Sequence, residues 1–295
     1  MMRAGDLTGV ALSPAGVTID DVVRAEIRHR LIARIGPLVE PTAPGRPIVV
    51  TLALLRQART RVESLGEPED PFAWKPIFVR RSLGLAIVAA CANGRFRSPL
   101  EAAGPVASEA VSEWERTGWR TFHWEPWFAG LADGARAMVL ADAVGWATSI
   151  WLSFDWNQLR PLPQIGSGDD QWICPAGRTV RLKGRSELRV PLAVASPLER
   201  ERRPTPANEV GNRVALVSVS GGCPTEWWSE ELAYLALVAG LRWPARPVPP
   251  RVLGLWPDSG IHLSLEIDEE ALHSAADRVV DTVRAVVEAC QSAAA

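Results

Sequence analysis

Apolar residues recur at helical spacing over residues 19–35, where Val22, Val23, Ile27, Leu31 and Ile35 mark one side of a helix and Asp20 stands where an N-cap is needed. Residues 37–47, rich in proline and glycine, then read as a linker. Residues 48–62 lead through a polar turn at 66–71 into a second helix over 79–92, which Asn93-Gly94 is suited to end. The pattern stays helical over residues 100–156, with breaks at Gly118, Pro126 and Gly130 and an alanine-rich helix over about 133–152. After that the period changes. Residues 160–177 read as a loop, 180–194 as a hairpin, 214–220 as a β-branched strand and 226–241 as a helix. Two strands over 251–256 and 261–267 flank a Pro257-Asp258-Ser259-Gly260 turn, and a last helix runs from Glu269 to about Cys290.

This order predicts an α/β protein in which a large N-terminal helical region precedes a mixed sheet. Three parts are expected: an N-terminal helix and linker (1–47), a mainly helical region (48–165) and an α/β core (166–295). A chain of 295 residues buries a sizeable core without staples. Its four cysteines, Cys91, Cys174, Cys223 and Cys290, are scattered without a Cys-x-x-Cys pair, which argues against a zinc or disulfide framework and for a reducing, cytoplasmic setting. No charge-free apolar stretch reaches membrane-spanning length. The formal net charge is −2, so indiscriminate attraction to nucleic acid is not expected. Of the 32 basic residues only Lys75 and Lys183 are lysines, which all but removes Schiff-base chemistry and makes arginine the phosphate-binding group, if any is used.

Several short motifs stand in a meaningful order. Gly84 and Val88 have Gly-x-x-x-His spacing on the 79–92 helix, with valine in the histidine place. Gly184-Arg185-Ser186-Glu187 resembles a Gly-x-x-Asp segment. Leu216-Val217-Ser218-Val219-Ser220 resembles Leu-Val-Asp-x-Lys, with Ser218 for the acid and Ser220 for the lysine. Glu230 and Tyr234, the chain's one tyrosine, keep Gln-x-x-x-Tyr spacing on the next helix. In this layout the chain from about residue 50 onward resembles the RecB-like branch of the PD-(D/E)XK nuclease superfamily. The resemblance implies a nuclease-like core with DNA as ligand, while Val88, Ser218 and Ser220 imply that catalysis is lost. Mg²⁺ needs several anionic oxygens, and one surviving carboxylate does not supply them. The expected role is therefore a non-catalytic subunit, binding DNA or scaffolding a DNA-repair or defence assembly whose activity another protein subunit supplies. No cofactor and no metal are expected.

Two other readings remain open at this stage. One is an active Mg²⁺ nuclease with a site relocated around Glu187, Lys183, Asp169 and Asp170; the other is a protein-interaction module without nucleic acid. Candidate nucleic-acid contacts are Arg181 and Arg185 on the expected hairpin, and Arg116, Trp119, Arg120 and Trp124, where tryptophans alternate with arginines in the manner of a base-stacking surface. Packing between helices explains those indoles equally well. The Ser220-Gly221-Gly222 turn before a helix suits either a tight β-to-α connection or an anion. None of the four histidines has metal-ligand spacing.

Overall fold

The strands with alternating or continuous apolar character gather at the centre, and the amphipathic helices cover them on two faces. A computed structural model describes residues 6–13, 19–39, 47–60, 75–117, 124–159, 162–175, 180–192, 214–243 and 246–294. Among these residues one mixed sheet has six strands: β1 (Ile48–Val50), β2 (Gln164–Ile173), β3 (Val180–Pro191), β4 (Val214–Val219), β5 (Arg251–Trp256) and β6 (Ile261–Glu266). β2 pairs antiparallel along most of β3. On the other edge of β3, β1 runs parallel beside Val180, Arg181 and Leu182, and β4 runs antiparallel beside residues 188–191. β4 and β5 are parallel, and β6 adds antiparallel to β5.

The helices divide between two cores. The first core joins α2 (Asp21–Val39), α3 (Leu52–Thr60), α8 (Trp228–Arg242) and α9 (Glu269–Ala294) to one face of the sheet. The second joins α1 (Asp6–Leu12), α4 (Lys75–Ala92), α5 (Pro99–Thr117), α6 (Glu125–Ala129) and α7 (Asp133–Ser153) to the other. Alternation along the strands feeds both: Leu216 and Val252 belong to the first core, Val217 and Leu253 to the second. The crossover helix α8 is buried at every residue from Glu231 to Leu241, as a helix that is apolar all round should be. Segments 1–47, 48–165 and 166–295 interleave, since Leu31, Leu55 and Leu235 share one core. No helix among the described residues is long and apolar enough to cross a membrane.

Local signals explain most boundaries. Asp20 accepts the Val22 N–H at 3.2 Å at the start of α2. Gly94, at φ 73°, ends α4 as its N–H bonds the Cys91 carbonyl at 2.9 Å. Gly260, at φ 66°, serves the turn between β5 and β6. The expected hairpin over 180–194 is corrected: β3 is one continuous strand, and its partner β2 lies inside the segment read as a loop. Glycines and aspartates, depleted in strands, hide β2 from propensity, and pairing with β3 overrides them. Pro126 does not break a helix but sits at the start of α6, where its missing N–H is not needed, and Pro37 lies inside α2. Of the linker read over 37–47, residues 37–39 instead continue α2, and residues 40–46, like the turn at 66–71 and the break at Gly118, lie outside the described residues.

β3 changes phase along its length. Val180 and Leu182 face the first core, whereas Leu188 and Val190 face the second. Between them Ser186, Glu187 and Leu188 are all buried, and the register with β2 shifts between Ile165 and Gly168. Alternation from Val180 to Glu187 points Glu187 at helix α4, and the irregularity re-aims Leu188, which joins the second core on the same side.

Candidate functional site

Glu187, the acidic residue of the Gly184-Arg185-Ser186-Glu187 segment, is wholly buried. A buried carboxylate is tolerated only when paired and hydrogen-bonded. Arg81 of α4 supplies the pair, in direct ionic contact. The Val219 N–H donates to Glu187 Oε2 at 2.6 Å, and Arg185 Nε lies 3.8 Å from Oε1. Extending the β3–β4 register by one residue sets Glu187 opposite Ser218, itself buried. Ser220 ends the strand, with its N–H bonded to the Leu255 carbonyl at 2.9 Å. Val88 is fully buried in the core between α4 and the sheet. Gly84, one turn before it, lets α7 approach: a Cβ there would stand 2.5 Å from Trp146 Cε3. The Gly84-x-x-x-Val88 pattern therefore packs two helices.

The residue before Arg81 repeats the arrangement. Arg80 holds Asp258 at 3.3 and 3.4 Å and lies 3.6 Å from Asp142. Asp258 in turn accepts the Gly222 N–H at 2.8 Å. Gly221 admits this contact, since a Cβ on it would come within 2.9 Å of the Arg80 guanidinium. The anion-accepting turn after β4 is thus filled by a carboxylate of the same chain. Sequence reasoning missed Arg80 and Arg81; the available signal was a pair of adjacent arginines on an otherwise apolar helix, one turn before Gly84.

The Glu230/Tyr234 pair has a structural role. Glu230 binds Arg59 at 2.8 and 3.0 Å, and Arg59 stacks over Trp227 at 4.5 Å. Its neighbour Glu231 holds Arg56 through two bonds of 2.7 and 2.6 Å. Tyr234 lies in the core with its hydroxyl 2.7 Å from the Val50 carbonyl and 3.1 Å from that of Lys183, fastening β1 and β3 to α8. Burial pushes its phenol well above the ordinary value, so it stays a neutral donor. Tyr234→Phe should cost about 1–2 kcal/mol by leaving the buried Val50 carbonyl without the phenol donor, measured as a lower urea midpoint with unchanged slope.

Of the residues proposed for a relocated metal site, Asp170 and Glu187 lie on opposite faces of the sheet. Asp170 is buried on the α8 face, where it accepts from Arg189 at 2.7 Å, Arg242 at 3.1 Å and Trp243 Nε1 at 3.2 Å. Glu187 faces α4, across the sheet. Lys183 is exposed on β3, and the Asp169 side chain lies outside the described residues. A single carboxylate already claimed by a guanidinium does not fit Mg²⁺, which requires several free oxygens. Among the described residues no three His, Cys, Asp or Glu side chains converge in a way that could hold a metal ion.

The proposed nucleic-acid contacts separate into two groups. Arg181 is exposed on β3, and Arg185 is partly exposed beside Glu187. Arg116 is exposed at the end of α5 but holds Glu113 through bonds of 3.1 and 2.5 Å. Trp124 is a correction: its indole is buried edge-on to Phe128, ring centres 5.6 Å apart, so it offers no free face to a base. Trp119 and Arg120 lie outside the described residues. Comparison with known protein families, with characterised proteins and with solved structures finds no match.

Proposed function

We propose that this chain is a non-catalytic protein with a nuclease-like core that serves as a DNA-binding or scaffolding subunit of a DNA-processing or defence assembly. The observation that carries the reading is the state of Glu187: at the place where the resemblance puts a metal-binding acid, the carboxylate is buried, hydrogen-bonded to the Val219 N–H and neutralised by Arg81. A fixed cation in that position does what a metal would do for the charge but cannot polarise a water or a phosphate in the same way. The order of elements supports the reading. A short strand and helix (β1, α3), a helix bearing Gly84 (α4), helical insertions (α5 to α7), a hairpin bearing Glu187 (β2, β3), a strand (β4) and a helix bearing Tyr234 (α8) follow one another as the resemblance implies. Asp170, bound on the other face, speaks against a relocated active site.

Incubation of supercoiled and single-stranded DNA with the protein in Mg²⁺ or Mn²⁺ should yield no cleavage above that of Glu187→Gln. Metal-dependent cleavage that disappears in Glu187→Gln would establish an active nuclease instead. Absence of binding to any DNA at low salt would leave the protein-interaction module.

A further inference from the structure

We infer that the open face of β3 is a track for the sugar–phosphate backbone of one extended nucleic-acid strand, with Arg181, Lys183 and Arg185 meeting successive phosphates. The inference rests on the DNA-binding reading above and names the ligand form and the residues. Val180 and Leu182 belong to the first core, and Gly184 packs so closely on α8 that a Cβ would lie 3.2 Å from Val238 Cβ. Strand alternation therefore puts Arg181, Lys183 and Arg185 together on the opposite face, and Arg181 and Lys183 are exposed there.

Charge bookkeeping sets this row apart. Most arginines in the described structure are spent on carboxylates, among them Arg34, Arg56, Arg59, Arg80, Arg189 and Arg242. Neither Arg181 nor Lys183 forms an ion pair among the described residues. Arg28, Arg97 and Arg246 likewise pair with no carboxylate among the described residues, but they stand apart on other elements. An exposed cation without a partner is free to displace counterions from a phosphate chain.

Spacing selects the form of the ligand. Side chains two apart on a strand are separated by roughly 6.7 Å along a nearly straight line. Phosphates of one strand in a stacked duplex advance only about 3.4 Å along the axis and wind away from any straight row, whereas an extended single strand can follow it. The neighbouring strand provides for the bases. Ile173, 47% exposed, is the register partner of Arg181, and Gln171 that of Lys183, so an apolar and an amide side chain flank the cations. The row ends at Arg185, whose register partner is Asp169 and whose Nε approaches Glu187.

Fluorescence anisotropy with a labelled thymidine oligonucleotide and a duplex of equal length, each at about 50 and 200 mM salt, tests the assignment. The full chain should prefer the single strand. In Arg181→Gln/Lys183→Gln the slope of log K against log salt should flatten by about 1.4, the sum for two single-strand phosphate contacts, and affinity at low salt should fall about tenfold or more. Arg97→Gln, an exposed unpaired cation elsewhere, should leave both unchanged, and matching thermal melts would show that all variants fold. Single-strand binding with an unaltered slope in the double variant, or duplex bound as tightly as single strand, overturns the track and leaves the DNA-binding reading standing. No binding of the unaltered chain to either oligonucleotide overturns that reading itself.

Discussion

Replacing Arg81 by methionine should destabilise the protein by about 3 kcal/mol or more, because it takes the directly contacting guanidinium from a buried carboxylate and leaves it the Val219 N–H and Arg185, whose Nε lies 3.8 Å away. The two side chains are 28% and 0% exposed, so solvent screens the pair little and cannot rescue the anion. Urea unfolding would show the loss as a lower midpoint at constant slope. The double variant Arg81→Met/Glu187→Leu should recover much of it, since an apolar pair of similar volume removes the unpaired charge.

Asp170→Ala should have an effect of similar size, about 3–5 kcal/mol, for the mirror-image reason. Its carboxylate is 3% exposed and collects Arg189, Arg242 and the Trp243 indole. Arg189 is itself 14% exposed and would be left as a cation in the sheet without its anion. Arg242 and Trp243 would lose the contact that fixes the end of α8 to β2. Thermal and urea unfolding measure this directly. A destabilisation below about 1 kcal/mol would mean that Asp170 is held for something other than the fold.

These two carboxylates show where sequence reading reached and where it stopped. The helices α2, α4, α7, α8 and α9 and the strands β4, β5 and β6 were legible because one face, or a continuous apolar run, dictates each. β2 was not, since Gly166, Gly168, Asp169 and Asp170 lack strand propensity and owe their conformation to hydrogen bonding with β3. That Val88, Ser218 and Ser220 offer no metal ligand of their own could be read from residue type alone. The partner of Glu187 could not be read, because Arg81 meets it across 106 residues of chain only once α4 is laid on the sheet. Likewise Asp258 looks like an ordinary turn residue until its carboxylate is seen on the Gly222 N–H. Asp170 and Glu187 look like one acidic cluster in sequence, yet pairing sets Asp170 beside Gly184 on the α8 face, and alternation from Gly184 to Glu187 points the latter at α4. Trp124 follows the same logic: its arginine-rich neighbourhood suggests stacking on bases, and packing on Phe128 uses the indole instead.

Arg81, and not a divalent metal, is expected to satisfy the Glu187 carboxylate. Unfolding in urea with and without millimolar Mg²⁺ or Mn²⁺ tests it most directly, because any ion that binds the folded site adds stability, about 2.7 kcal/mol at a concentration a hundredfold above its dissociation constant. Coincident midpoints are expected for the unaltered chain with and without metal. A metal-dependent rise in the midpoint that vanishes in Glu187→Gln would contradict it.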